Sequence, residues 1–342
     1  MDILVTGAAG LIGFNVCRYF QQQGHNVLGI DNLERSKLLG HAVSEERKFY
    51  NLHALGRLGI SCLRWDVSDP NIWLDLPAMD AVVHLAGQCG VPTSISNPRR
   101  DFEINTIGTF NALEYARTFG AKFVYASTNK VYPIHDGWHL EGKRWRWTDT
   151  RRHLSGFPVT AMDKSGRTPY GASKMAGDVL VQEYGDIFGL RTACFRMSCI
   201  YGPNQPLPTE EQGWAVHFIR ATLKGYEITI FGDGMQVRDM LYVEDLVRAY
   251  ESFLVNDIKS GVWNIGGGPK FSLSLLECLD IIEKYTGKRS PVKFEDWRPS
   301  DQRVYTSDIF ETSVGLKWHP IVCPEEGIRN ILGWMGSNPN VI

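Results

Sequence analysis

The chain has 342 residues, of which 43% are hydrophobic and 22% charged, and its formal net charge is −2 from 36 basic and 38 acidic side chains. That is enough chain to bury a sizeable core in one large α/β domain or two unequal ones, and the composition argues against disorder. The near-neutral balance argues against a nucleic-acid partner, and no run of 18 apolar residues is present to span a membrane.

Seven cysteines stand at 17, 62, 89, 194, 199, 278 and 323, an odd count with no C-x-x-C spacing. Reduced thiols and no metal site are expected. The opening Met-Asp-Ile-Leu-Val lacks the cationic start and apolar stretch of a signal peptide, so a cytoplasmic protein is expected. One basic run, Lys143-Arg144-Trp145-Arg146, with Arg151-Arg152 after it, reads as a solvated loop.

In chain order, Ile3–Thr6 reads as a strand, Leu11 to about Gln23 as a helix, and Asn26–Ile30 as a second strand. Further strands are expected at Ser61–Trp65, Ala81–Leu85, Lys122–Ala126 and Arg191–Arg196, with helices at Asp101–Phe119 and Tyr170–Phe188. Continuous short apolar runs are the pattern of strands buried on both faces, so the first half predicts a doubly wound parallel sheet covered by helices. The stretch 133–168, rich in Trp, Arg, Asp and Gly, predicts a long functional loop. Beyond it, Gly213–Lys224 reads as a helix, Glu227–Phe231 as a short strand and residues 232–239 as a loop. Gly261–Ile265 reads as a strand returning to the sheet, and Leu273–Tyr285 and Pro324–Met335 as helices of a smaller C-terminal α/β cap. The expected division is 1–197 with 240–265 in the sheet domain, and 198–239 with 266–342 in the cap.

Thr6-Gly7-Ala8-Ala9-Gly10-Leu11-Ile12-Gly13 joins the first strand to the first helix, and Asp31 ends the next strand 18 residues after Gly13. Glycines here permit a tight turn and let backbone N–H groups approach a pyrophosphate at a helix N-terminus. In this context the triplet is a dinucleotide-binding fingerprint. Gly7, Ala9, Gly10, Leu11, Ile12, Asp31 and Asn32 form the expected contact set. A carboxylate at position 31 accepts ribose hydroxyls and repels a 2′-phosphate, which favours NAD over NADP; Arg35, close by in sequence, is the one residue that speaks for NADP.

Tyr170-Gly-Ala-Ser-Lys174 follows Pro169 at the start of a helix, placing tyrosine and lysine one turn apart on one face. An adjacent ammonium and a positive nicotinamide ring are expected to pull the phenol, ordinarily near pKa 10, toward a working range for proton transfer. Ser127 and Thr128 end a parallel strand, where ligands bind in such sheets. Thr128 is a candidate to hydrogen-bond the reacting oxygen, whereas Ser127 reads equally well as a turn-capping hydroxyl.

These motifs resemble the extended short-chain dehydrogenase/reductase family of nucleotide-sugar epimerases and dehydratases, with a Rossmann-like fold, over essentially the whole chain. The resemblance adds Asp66-Val67 on the adenine side, Leu85-Ala86-Gly87 and Ser127 beside the cofactor, and Asn105 in a central helix. It continues in Arg238-Asp239, Val243, Asp245 and Arg298-Pro-Ser-Asp301. It implies an NAD that is reduced and reoxidised within one turnover, a cap that binds a nucleotide diphosphate, and a homo-oligomer (dimer or tetramer) formed through helices near 101–119 and 170–188. In the 4,6-dehydratases an acid and a base follow the catalytic threonine; here Asn129 and Lys130 stand there, which speaks against elimination. Ser-Thr-Asn-Lys-Val-Tyr, Ser198 and Gln212-Gly-Trp214 resemble the branch of CDP-tyvelose (CDP-paratose) 2-epimerases, which implies a CDP-sugar partner and makes Asn129, Ser198, Gln212 and Trp214 candidate substrate contacts. Arg238 and Arg298 are the diphosphate candidates, because guanidinium forks match phosphate oxygens. Their competing reading is ion pairing, for Arg298 with Asp301. A UDP-hexose 4-epimerase is the nearest alternative function, and a non-catalytic NAD-sensing module a remote one.

Overall fold

The structure is a computed structural model that describes residues 1–35, 44–133, 137–149, 154–156, 168–205, 212–298 and 301–339. The seven strands of its main sheet are β1 (Asp2–Thr6), β2 (Asn26–Ile30), β3 (Ser61–Leu63), β4 (Ala81–His84), β5 (Lys122–Thr128), β8 (Thr192–Met197) and β12 (Gly261–Ile265). They lie in the order β12-β8-β5-β4-β1-β2-β3, and every pairing is parallel. The order reverses between β1 and β4, which opens a crevice at their carboxyl ends where such sheets bind ligands. Residues 81–84 are all buried, as are 123–128; both faces of these strands are therefore covered.

Helix α1 (Leu11–Gln22) buries Phe14, Val16, Cys17 and Phe20 on one stripe. That stripe packs with Ile3, Val5, Phe195, Tyr250 and Phe253 under one face of the sheet. The opposite face is covered by Ile104, Ala112, Leu113, Tyr115, Val181 and Tyr184, packed on Leu4, Val82 and Phe123. A second amphipathic helix, α2 (Val243–Val255), returns to the first face. Leu316 and Trp318, from a stretch expected in the cap, join that same cluster.

Between the two halves stands a hairpin, β6 (Trp138–Glu141) with β7 (Arg144–Trp147). The basic run is therefore a docked strand, not a solvated loop. Arg144 grips Glu277 with contacts of 2.6 to 3.0 Å, Lys143 reaches Asp280 at 2.7 Å, and the Trp145 indole donates to Asp233 at 2.9 Å. Carboxylates on the cap draw this face of the hairpin inward. The rest of the expected functional loop, at 134–136, 150–153 and 157–167, lies outside the described residues, as do Arg151 and Arg152.

The cap is built on β9 (Cys199–Tyr201), β10 (Ile228–Phe231), β11 (Val237–Tyr242), β13 (Ser272–Ser274), β14 (Val292–Glu295) and β15 (Val304–Tyr305). β11 is central, pairing with β9, β13 and β15. The loop expected over 232–239 thus ends early: Val237, Arg238 and Asp239 are strand residues, all buried. Their backbone groups are satisfied by neighbours on both sides, which outweighs the low strand preference of Arg-Asp. Helices Trp214–Lys224, Leu275–Thr286 and Pro324–Ser337 close the cap around Phe218, Ile219, Leu279, Ile282, Ile328 and Ile331.

Candidate active site

The glycine loop lies at the mouth of the crevice. Gly7 has φ +68°, and a Cβ on it would come within 2.8 Å of Ala86 N; a Cβ on Gly13 would collide with Gly7 O. Only glycine fits either place. Thr6 Oγ1 accepts from both Leu85 N and Ala86 N at 3.1 Å, which locks the ends of β1 and β4 together. Helix α1 begins at Gly10 without a side-chain cap or an acidic residue in its first turn, leaving N–H groups and a positive dipole end directed at the crevice. These features fit a pyrophosphate. Asp31 accepts from Ala9 N at 3.0 Å and Leu33 N at 2.8 Å. Burial pushes its pKa up while those two bonds oppose the shift. Arg35 is half-buried, and that burial lowers its pKa.

Asp66 accepts from Ser68, Asn32 and Arg100. Burial raises its pKa, but these donors outweigh burial and bring it down to about 2. Arg100 also holds Glu34, at 2.5 Å, and Ser68. Arg100 was not legible in the sequence, because nothing local ties it to residues 34 and 66. The same holds for Asn51, whose amide donates to Ala9 O and Asn204 O, and for Asn15, which donates to Pro203 O. Together they tie the glycine loop to the cap.

The helix Pro169–Phe188 starts as expected: Thr168 Oγ1 accepts from Gly171 N at 3.2 Å, and Pro169 occupies the first turn, where it needs no donor. Tyr170 and Lys174 are both buried. Thr128 lies near enough to the Tyr170 hydroxyl to lower its pKa, so the end of β5 and this helix come together, while Thr128 Oγ1 itself donates to Asn129 Oδ1 at 3.3 Å. Lys174 Nζ lies 4.2 Å from the centroid of the Tyr125 ring, and a Cβ on Gly87 would be 3.8 Å from it. The Leu85-Ala86-Gly87 segment therefore faces the Tyr/Lys pair.

The protein alone does not lower the phenol as expected. Burial is the largest influence on Tyr170 and raises its pKa, the nearby Cys89 raises it further, and only Thr128 opposes them. Lys174 is itself pulled down to about 8 by burial. Two desolvated groups on one helix face each resist charge, so the protein by itself favours the neutral phenol.

Asn105 sits in a π-helical turn, Glu103–Ile107, within the helix leading to Phe119. Its amide donates to Gln88 O, Asp101 and Ser173, and its oxygen accepts from Gln88 N. Ser173, between Tyr170 and Lys174, also donates to Asp101. This network fixes the helix Pro169–Phe188 against the turn that carries Gln88 and Cys89. Such turns recur at functional sites.

Ser127 is fully buried and donates to Asp178 at 2.6 Å; Asp178 in turn receives Arg196 through bonds of 2.8 and 2.9 Å. Its hydroxyl proton is thus directed into the core. Ser198 donates to the Asp239 carboxylate and backbone, a brace between β9 and β11. Asp239 also accepts from Gly268 N and Ser307 N at 3.1 Å. Gln212 reaches the Cys89 thiol, next to Tyr170. Trp214 opens a cap helix, edge-on to Phe218 and near enough to Cys199 to lower its pKa against the effect of burial. Arg238 pairs with Asp301 at 2.8 Å, taking the partner expected for Arg298. Arg298 instead places its guanidinium 3.7 Å from the centroid of the Phe231 ring.

Residues 3–266 match the NAD dependent epimerase/dehydratase family, and the chain belongs to it. It is 35% identical to the CDP-paratose 2-epimerase of Salmonella typhi, over 98% of this chain and 100% of that one. Among solved structures it resembles UDP-glucose 4-epimerase of Thermotoga maritima with UDP-glucose, with a TM-score of 0.80, 27% identity and coverage of 99% and 100%. It also resembles UDP-glucuronic acid 4-epimerase of Bacillus cereus in complex with UDP-glucuronic acid and NAD, with a TM-score of 0.80, 27% identity and coverage of 98% and 99%. The chain is an NAD-dependent nucleotide-sugar epimerase.

Proposed function

We propose that the enzyme inverts C2 of a CDP-linked sugar, interconverting CDP-paratose and CDP-tyvelose. The observation that carries this reading is the full-length likeness to a CDP-paratose 2-epimerase, joined to the proximity of Thr128, at the carboxyl end of β5, to Tyr170. Bound NAD would accept the C2 hydride and return it to the opposite face of the sugar. Gly7, Ala9, Gly10, Leu11 and Ile12 would hold its pyrophosphate, Asp31 and Asn32 its adenosine ribose, and Asp66 and Val67 its adenine. Leu85, Ala86, Gly87 and Lys174 would line the nicotinamide end.

Tyr170 then takes the proton of the C2 hydroxyl as the ketone forms and gives it back when C2 is reduced, so its protonation state is restored after each turnover. Thr128 orients the oxygen through its hydroxyl, and Lys174 stabilises the phenolate. Asn129, Gln212 and Trp214 face the sugar and base, and Arg238 and Arg298 the diphosphate. Ser127 and Ser198 act as buttresses, since their protons are donated within the protein. Self-association through the helices near 101–119 and 170–188 completes the reading.

The test is incubation with CDP-paratose, UDP-glucose and UDP-glucuronate, with NMR of the products. Inversion at C2 of the CDP-sugar alone is expected; inversion at C4 of a UDP-sugar would replace this reading with the 4-epimerase one. Tyr170→Phe should lower kcat by about a hundredfold or more while the protein still retains NAD.

A further inference from the structure

Lys130 is a half-buried cation that the mechanism above leaves unused. It follows Thr128 by two residues in the short turn Asn129–Val131, and its backbone N–H donates to Thr128 Oγ1 at 3.3 Å. Its side chain crosses the seam between sheet and cap, where Nζ donates to Gln302 Oε1 at 3.3 Å. There it feels the charges of Asp301 and Arg238. Among the described residues no carboxylate forms a salt bridge with it, and Asp301 is held by Arg238 at 2.8 Å. The cluster therefore carries two cations against one anion. A partly desolvated ammonium with a single neutral partner is costly, and such a group persists where an anion arrives to complete it.

We propose that Lys130, paired with Arg238, binds the β-phosphate of the nucleoside diphosphate sugar. Lys130 spans the distance from the reacting oxygen at Thr128 to the cap residues Arg238, Asp301 and Gln302. A phosphate there gains charge-assisted bonds from two cations carried by opposite sides of the seam. The ligand rests on the nucleotide-sugar assignment, and one corollary rests on the reading at C2. C2 is bonded to the anomeric carbon that bears the β-phosphate, so a cation two residues beyond Thr128 meets that phosphate when Thr128 holds the C2 oxygen.

The experiment is calorimetric titration of NAD-loaded protein with CDP, CMP, UDP and UMP. The wild type should bind each diphosphate more tightly than its monophosphate. Lys130→Gln should erase about tenfold or more of that advantage while leaving monophosphate affinity nearly unchanged, and Lys130→Arg should retain most of it. Equal weakening of mono- and diphosphates, or an unchanged ratio, overturns the proposal and leaves Lys130 as a brace for Gln302. Reading the ratio for both bases separates this outcome from a failure of the cytidine reading: a preference for UDP over CDP would sink that reading while a collapsed ratio still upheld the phosphate contact.

Discussion

Tyr170 and Lys174 announce themselves through spacing, but their chemistry depends on a burial that spacing does not reveal. The sequence places them one helical turn apart, and the fold then desolvates both. Lys174 has its folded pKa depressed to about 8, against about 10.4 in an unfolded chain. In the window between those values the unfolded chain binds more protons, so stability rises with pH across it. The contribution is fully present above about 10.4 and lost as pH falls through 8. Two units and a half correspond to on the order of 3 kcal/mol. Urea unfolding of NAD-free protein should therefore show the wild type gaining on Lys174→Met as pH is raised from 8 toward 10.4. A difference that stays flat with pH would show that the ammonium is not desolvated as described. Arg100, Asn51 and Asp239 were hidden or only partly visible for a related reason. Each acts through partners dozens of residues away, such as Asp66 for Arg100 and Asn204 for Asn51, and no local pattern encodes such pairs.

At the scale of elements, the strands of the main sheet were legible because burial on both faces demands continuous apolar runs; Asn26–Ile30 and Gly261–Ile265 fall where the pattern puts them. The hairpin was missed although Arg144-Trp145-Arg146-Trp147 alternates with the period of a strand, because its charges suggested solvent. Arg144 meets Glu277 and Arg146 meets Glu141 instead, with Lys143 beside them on Asp280. Helix α2 also escaped, although Glu244 and Asp245 in its first turn are an N-terminal signal. The helix Pro169–Phe188 is joined to the sheet by an ion pair of the same hidden kind. Asp178 on the helix meets Arg196 on β8 at 2.8 Å, with side-chain exposures of 0% and 5%, so water cannot replace either partner. Asp178→Ala leaves a buried guanidinium and the Ser127 hydroxyl without their acceptor. It should cost about 3–5 kcal/mol, seen as a lower denaturation midpoint at unchanged m-value. A loss under 1 kcal/mol would mean that Arg196 finds another anion.

At the scale of the molecule, a parallel sheet with a cap was readable from the order of apolar runs, but the way the two halves meet was not. Asn15, Asn51 and Lys130 all cross that seam. The surface holds one further feature of this scale. Phe102, Ile107 and Phe110, with exposures of 48%, 39% and 42%, lie on the helical stretch that packs against the helix Pro169–Phe188, and Val179 on the latter is 42% exposed. Neighbouring helices that both leave apolar side chains in water form a patch suited to its own copy, because a two-fold axis buries the same residues twice. This face lies on the outer side of the helices that carry Tyr170 and Asn105, so pairing would also stiffen the site from behind. Light scattering after size exclusion should report a dimer or tetramer for the wild type and a smaller species for the double variant Phe110→Glu, Val179→Glu. Charges placed in a buried apolar contact oppose association through their desolvation, whereas on a free surface they leave the mass unchanged. A wild type that runs as a monomer would remove the self-association reading and leave the epimerase chemistry untouched, since every group assigned to that chemistry comes from a single chain.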